Sequence, residues 1–402
     1  MSPLLTVRDA HARVIAAFDR LPAEMVSVAD AAGRVLAVSP EARLTQPPAD
    51  LSAMDGYAVR AEDVPAAPTT LTLVGQAPAG GSYDHALKPG ETVRIFTGAP
   101  VPQGADTIVI QEETEQTHGL VTVKKVDLHA HIRPRGQDFK EGETLLTGGI
   151  RLGPCELMLA AAMNHAEVPV RRKPKVAILA TGDEVVPVGS ELGKDQIVSS
   201  VPIGLATLIE KAGGQAMPLG IAKDDPKSLV TLARSGSAAD ILVTIGGASV
   251  GERDLVASAL KSEGLEIDFW KIAMRPGKPL LYGRLGHQRV LSLPGNPVSA
   301  LITAHVFLVP MLKAMLGLTT GALPLPEAVL GEALAANGPR EHYMRARSDW
   351  REDGTRVVRP LPSQDSSLVA ELARADCLIV RAPYAPSLAA GRRVGIIPFD
   401  RD

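Results

Sequence analysis

At 402 residues the chain is longer than one hydrophobic core usually holds, which sets an expectation of roughly two to four domains. Its 45% hydrophobic and 22% charged content excludes wholesale disorder. With 42 Lys plus Arg against 45 Asp plus Glu, the net charge is -3, so no global basic excess drives nucleic-acid binding and any anion site must be local.

The first 20 residues carry Arg8, Asp9, Arg13 and Asp19 among apolar positions, whereas a signal peptide needs an uninterrupted apolar run, so export is not expected. Thr6 is a natural N-cap for a helix whose apolar face is Ala10, Val14, Ala17, Phe18 and Leu21. From about Pro47 short alternating runs (residues 71–74, 92–96 and 107–110) stand between Gly and Pro clusters, predicting a β-rich insert domain over 41–138. Residues 156–162 read as helical again, so 1–40 and 139–170 are expected to form one discontinuous helical domain. Beyond Lys175, apolar strands at 175–179 and 241–245 alternate with helical patterns at 203–211 and 255–261. That alternation predicts an α/β domain over 171–322, with a parallel-rich sheet covered on both faces.

The apolar stretch 297–318 is broken by His305, Pro310 and Lys313 and reads as a buried helix rather than a membrane span. Pro324 and Pro326 mark a linker, after which 323–402 reads as a small β-rich domain. Cys155 and Cys377 are far apart; neither a disulfide framework nor a zinc cluster is indicated, and a cytoplasmic location fits best.

An open α/β sheet places ligands beyond the carboxyl ends of its strands. Two loops have that placement, Thr181-Gly182-Asp183-Glu184 and the run from Gly246, Gly247 and Ser249 through Gly251, Glu252 and Asp254. Glycines let backbone N–H groups approach an anion, and the following helix adds its positive end; such turns are also ordinary features of α/β folds. The carboxylates of Asp183, Glu184, Glu252 and Asp254 suit Mg²⁺, which commonly takes one or two carboxylates plus substrate phosphates. Asp224-Asp225 offers a third acidic loop at the same edge, or a solvated turn before Pro226. In Arg275-Pro276-Gly277-Lys278-Pro279 two cations flank a rigid turn that can hold a tetrahedral oxyanion. Pro294-Gly295-Asn296-Pro297 starts the long apolar helix, with Asn296 as expected N-cap and Pro297 at the first helical position. Within the insert, Asp55-Gly56 reads as a hairpin signal and Arg135-Gly136-Gln137-Asp138 as a charged turn; physics alone assigns neither a chemistry.

Taken together, the runs S-A-M-D-G-Y-A-V, R-I-F-T-G-A-P, A-T-G-D-E, G-G-A-S-V-G-E-R-D, P-G-K-P and L-P-G-N-P-V-S-A, in this order, strongly resemble the MoeA family. These are the molybdopterin molybdenumtransferases, related to the gephyrin E domain and its plant counterpart. The resemblance covers nearly the whole chain. It implies a discontinuous helical domain, a β-rich insert, a MogA-like molybdopterin-binding α/β domain and a C-terminal β-barrel, arranged as a homodimer with a cleft shared between subunits. It implies catalytic roles for Asp55, Thr97, Asp138, Glu184 and Asp254. Substrate would lie against Gly182, Asp183, Gly246, Gly247, Ser249, Gly251, Glu252, Pro294, Gly295 and Asn296. Molybdate would meet Arg275, Lys278, Pro279, Arg345 and Ser366, or Ser367 in its place, and Mg²⁺ would meet Asp224, Asp225 and Asp254. Arg275 stands where Lys is usual and Ala248 where Val is usual, changes that keep charge and apolar character; the segment 363–367 lacks the glycines common there.

The implied reaction is Mg²⁺-dependent insertion of molybdate into adenylylated molybdopterin with release of AMP. Metal and cations would stabilise charge on phosphoryl and molybdate oxygens. Other cofactor-synthesis proteins and apo-molybdoenzymes are expected partners, with no nucleic acid and no membrane. Two rival readings are adenylylation of molybdopterin by ATP, which the insert and barrel argue against, and a non-catalytic scaffold, for which no partner-binding appendage is visible.

Overall fold

Thr6 accepts a hydrogen bond from the Asp9 amide at 3.1 Å and opens the helix α1 (Val7–Ala16), as its capping side chain predicts. In the computed structural model, which describes residues 4–247, 255–318 and 325–399, the apolar face of α1 does not join the 139–170 segment. Val7, Ala10 and Val14 pack into the core of the α/β layer, with Ala17, Phe18 and Leu21 beside them. A separate small core gathers Leu36, Ala42, Phe139, Leu152, Met163 and Val168. Around it, β1 (Ala23–Ser27) pairs antiparallel with residues 167–171, and one short helix covers residues 154–162.

The insert is a six-stranded sheet. In chain order its strands are β2 (Gly56–Val59), β3 (Thr69–Ala77), β4 (Glu91–Ile95), β5 (Thr107–Ile110), β6 (Thr114–Thr117) and β7 (Leu120–Val123), and in space they run β5-β2-β4-β3-β7-β6. Its two faces bury Ile95 and Ile108 on one side and Leu71 and Val109 on the other.

The α/β layer begins with β8 (Lys175–Thr181), α2 (Val201–Lys211), β9 (Gln215–Ala222), α3 (Pro226–Ser235), β10 (Ile241–Ile245), α4 (Leu255–Ser262) and β11 (Glu266–Trp270). After β12 (Met274–Arg275) come β13 (Leu281–Leu285), β14 (Gln288–Leu293) and α5 (Pro297–Thr303). The sheet order is β9-β8-β10-β14-β13-β11; β9, β8, β10 and β14 are mutually parallel, while β13 and β11 add an antiparallel edge. Val176, Ile178, Ile241 and Val243 face one core, and Ala177, Leu179, Leu242 and Val290 the other. Burial on both faces explains why these strands read as unbroken apolar runs.

From α5 the chain continues without a break through a π-helical stretch, Ala304–Leu308, into α6 (Val309–Leu316). Pro310 inside this 20-residue helix has no amide to donate, and the looser π turn just before it accommodates the ring. It is the only helix among the described residues long and apolar enough to cross a membrane, and 67% of its apolar window is buried in the fold. The last unit holds β15 (Glu327–Leu330), β16 (Glu341–Trp350), β17 (Arg356–Pro360), β18 (Cys377–Arg381) and β19 (Arg393–Pro398). The order β16-β17-β15-β19-β18 closes through β16–β18 into a five-stranded barrel, with β12 pairing along β16 as an outer strand.

Candidate functional site

The parallel strands β8, β10 and β14 end side by side, so the loops that follow them meet at one edge of the sheet. The Gly182 amide donates to the Ala222 carbonyl at 3.2 Å, and the Gly246 amide to the Leu293 carbonyl at 3.3 Å. Thr181 Oγ1 donates to the Ile245 carbonyl at 3.2 Å. Gly246 and Gly247 hold φ of 85° and 66°, backbone that a side chain disfavours. A Cβ on Gly246 would stand 2.9 Å from the Thr181 carbonyl oxygen, one on Gly247 would overlap Val256, and one on Gly295 would lie 3.5 Å from Gly246 Cα. The backbone is therefore bare where these loops converge.

Asp183 Oδ1 accepts the Asp224 amide at 3.1 Å, which sets these two acidic loops against each other. Asp183 also lines a cavity of about 520 Å³ with Gly182, Ile203, Ile221 and Lys223. Asp225 is committed differently: it caps α3, accepting from the amides of Lys227 at 2.8 Å and Ser228 at 3.1 Å. Glu184 is exposed, and its carbonyl accepts the Ile197 amide at 2.8 Å. Among the described residues no three His, Cys, Asp or Glu side chains gather as a metal cluster. Asp183 and Asp224 could supply one or two carboxylates to a cation that completes its shell from phosphate oxygens and water. Ser249, Gly251, Glu252 and Asp254 lie outside the described residues.

A second group of the expected residues lies along the seam between the α/β layer and the barrel. Arg275 and Lys278 are exposed on their turn, which Lys278 fastens by accepting the amides of Ile272 and Leu280 through its carbonyl, each at 3.1 Å. Arg275 pairs in register with His342, and His342 with Arg381. Burial, and then the charges of Arg275, Arg340, Arg345 and Arg381, push the His342 imidazole down to about 4.

Arg345 is buried at 1% exposure. Its guanidinium donates to the carbonyls of Ser363 at 3.0 Å and Leu368 at 3.3 Å, and burial lowers its pKa. Gln364 locks the same loop, accepting the Arg345 amide at 2.9 Å and donating to the Arg345 carbonyl at 3.0 Å. Arg345 therefore shapes the 363–368 loop.

That loop meets the α5 N-terminus. Asn296 sits at the cap position without a capping bond of its own; its amide donates instead to Ser366 Oγ at 2.9 Å. The Ser366 carbonyl accepts the Val298 amide at 3.1 Å, so the barrel supplies the cap that the sequence assigns to Asn296. Ser367 is tied back to Asp365 through both amide and hydroxyl, at 2.8 and 2.7 Å.

In the insert, Asp55 Oδ1 accepts the Thr97 amide at 2.8 Å and the Thr97 hydroxyl at 2.7 Å. These two bonds hold the Asp55 carboxyl below the usual range, so it stays ionised. Asp138 is exposed, its amide bonded to the Gln46 carbonyl at 3.0 Å. No hydrogen bond or ion pair among the described residues joins Asp55, Thr97 or Asp138 to the loops of the α/β layer. Sequence reasoning missed Gln364, which fastens the 363–368 loop to Arg345 within the barrel, and His342, which pairs with Arg275 across the seam. For His342, the nearby Arg340, Arg345 and Arg347 are the one sequence signal of a cationic surround.

Three family descriptions match the chain in order: "MoeA N-terminal region (domain I and II)" at residues 5–164, "Probable molybdopterin binding domain" at 177–314 and "MoeA C-terminal region (domain IV)" at 327–399. A molybdopterin molybdenumtransferase of Haemophilus influenzae is 33% identical over 405 residues, covering 99% of each chain. One of Nostoc sp. is 36% identical over 357 residues, covering 85% of this chain and 82% of its own. The molybdopterin biosynthesis MoeA protein of Pyrococcus horikosii superposes with a TM-score of 0.86 at 31% identity, over 99% of this chain and 100% of that one.

Proposed function

Because the chain belongs to the MoeA family of molybdopterin molybdenumtransferases, transferases of molybdenum cofactor biosynthesis, we propose that it inserts molybdate into adenylylated molybdopterin and releases AMP. The observation that carries this reading is the bare backbone of Gly182, Gly246 and Gly295 beside the paired Asp183 and Asp224 loops. It suits a phosphoanhydride that arrives with a cation. Asp224, Asp225 and Asp254 would hold Mg²⁺, with Asp183 and Glu184 beside them; the capping bonds of Asp225 engage Oδ1 alone. When bound, the cation supplies neutralising charge at the phosphoryl oxygens.

The chain's own residues do the rest. The side-chain-free backbone at Gly182, Gly246 and Gly295 leaves room for the anhydride to lie close, and Arg275 and Lys278 offer charge-assisted donors to a tetrahedral dianion. Arg345 and Asn296 act indirectly, by fixing the loop that presents Ser366. No protein nucleophile is required: the dithiolene sulfurs displace oxo ligands of molybdate, which leave as water with the thiol protons, and a water molecule cleaves the phosphoanhydride to give AMP and the pterin phosphate. The reading includes a cytoplasmic homodimer in which the insert of one subunit completes the α/β cleft of its partner. Asp55 and Thr97 belong to the insert, whose cores are separate from those of the α/β layer, which supports that arrangement.

The test is incubation with adenylylated molybdopterin, Mg²⁺ and molybdate, followed by assay of AMP and of molybdenum-loaded pterin. Both products should appear together and only with all three components; AMP formation without metal insertion would reject the transferase mechanism. For the shared cleft, inactive Asp55→Ala and Asp254→Ala chains are mixed under conditions of proven subunit exchange. Half the dimers are then mixed and each has one intact cleft, so roughly a quarter of wild-type activity should return. No return places these residues in one subunit's cleft.

A further inference from the structure

Thr303 ends α5 at the point where the long helix passes into its π turn. It is 0% exposed, and its hydroxyl has no hydrogen-bond partner. An unmet buried hydroxyl carries a desolvation cost that most folds remove. Thr303 retains it at a particular place. Gly277, buried in the turn between Arg275 and Lys278, has φ of 109°, and a Cβ there would stand 2.5 Å from Thr303 Oγ1 and 3.2 Å from Met274 Sδ. The hydroxyl thus abuts the inner side of the cationic turn, whose outer side presents Arg275 and Lys278 to solvent. A helical Thr ordinarily turns its hydroxyl back to the carbonyl of the preceding turn; this one does not.

We propose that Thr303 is a positioning residue for the molybdate turn: its hydroxyl backs Gly277 and takes up a hydrogen bond with the Pro276–Gly277 peptide unit when the turn closes on an oxyanion. The inference rests on reading the Arg275–Lys278 turn as the molybdate site. Its physical content is a difference between two states. A hydrogen bond made only in the loaded turn favours that state and raises oxyanion affinity, while the free protein bears the cost of the unmet hydroxyl. The π turn, which Pro310 favours from the helix interior, marks the point at which Thr303 meets the turn.

Thr303→Val removes the hydroxyl at nearly constant shape, and Thr303→Ser restores it. Each is compared with wild type and Lys278→Ala for binding of molybdate alone by calorimetric titration, for thermal midpoint without ligand, and for half-saturating molybdate against kcat in the insertion assay. The valine variant should melt a few degrees higher, bind molybdate about tenfold more weakly and raise the half-saturating molybdate with kcat nearly unchanged. The serine variant should stay close to wild type, and adenylylated-pterin binding should be the same in all of these proteins. A valine variant that binds molybdate as wild type does overturns the role of Thr303, as does one that melts lower, because the hydroxyl would then be a bond of the resting fold. If Lys278→Ala also binds molybdate normally, the turn itself is not the molybdate site, and that failure is separate from the first.

Discussion

The glycine-lined edge of the α/β sheet and the cationic seam beside the barrel are both proposed to receive oxyanions, yet they are held in shape by opposite means. At the edge the decisive feature is missing side chains: positive φ at Gly246 and Gly247, and the close approach of Gly295 to Gly246. At the seam it is the opposite, buried polar groups in surplus, with Arg345 fastened to two carbonyls and His342 set among four arginines. A bare-backbone site fails by steric overlap and is nearly indifferent to pH. A seam of buried cations fails by loss of charge or of a hydrogen bond, and its stability depends on which groups are protonated.

The sharpest way to break this contrast is Gly247→Val, which adds overlap with Val256 to a strained backbone. Strain of roughly 3 kcal/mol or more corresponds to a loss of AMP release above about a hundredfold. Steady-state AMP assay checks it, with circular dichroism to confirm the fold. Near-normal turnover would show that the edge does not depend on bare backbone. At the seam, Lys278→Ala should cost about 1.5–3 kcal/mol of molybdate binding, roughly ten- to a hundredfold. Arg275→Lys should be mild because the charge remains. Titration of molybdate and of adenylylated pterin separates this from a phosphate-binding role, in which only the pterin affinity would move.

His342 gives the pH arm. Burial, and then the surrounding arginines, push its imidazole down to about 4, below the ordinary histidine value of 6.5, so the unfolded chain takes up the proton first as pH falls. Stability present above about pH 6.5 is therefore lost towards pH 4, amounting to about 2 kcal/mol between pH 7 and 5. Urea midpoints across that range should fall less steeply for His342→Gln; parallel slopes would mean that neither burial nor the arginines depress this imidazole. Smallest is Asn296→Ala, which removes the bond to Ser366 and should cost about 1 kcal/mol. Urea denaturation checks its stability, and its molybdate response should shift more than its pterin affinity.

Much of the architecture was legible because each level agreed with the next. The apolar runs at 175–179 and 241–245 are strands buried on both faces, and the Gly-rich turns stand at their carboxyl ends. Pro297 does open the long helix. Other features depended on partners remote in the chain. The amphipathic face of α1 was readable from its period, but nothing local says whether it covers the 139–170 segment or the α/β layer. Asn296 has the side chain of an N-cap, yet Ser366, 70 residues later, takes that amide and supplies a carbonyl to the helix.

What the sequence by itself determined is therefore whatever a short run of residues fixes through its own backbone: strand and helix periods, glycine turns, proline starts and the order of family motifs. The tertiary structure decided where each exposed or buried charge finds its partner. Arg345 is in its sequence a basic residue on a strand of alternating pattern, and only the closed barrel makes it a buried post for the 363–368 loop. Thr303 is one apolar-face residue among many until the helix widens ahead of Pro310 and its hydroxyl meets Gly277. Both outcomes have the same physical reason: hydrogen bonds and desolvation are set by atoms within a few ångströms, and those neighbours come from segments that the local sequence does not specify.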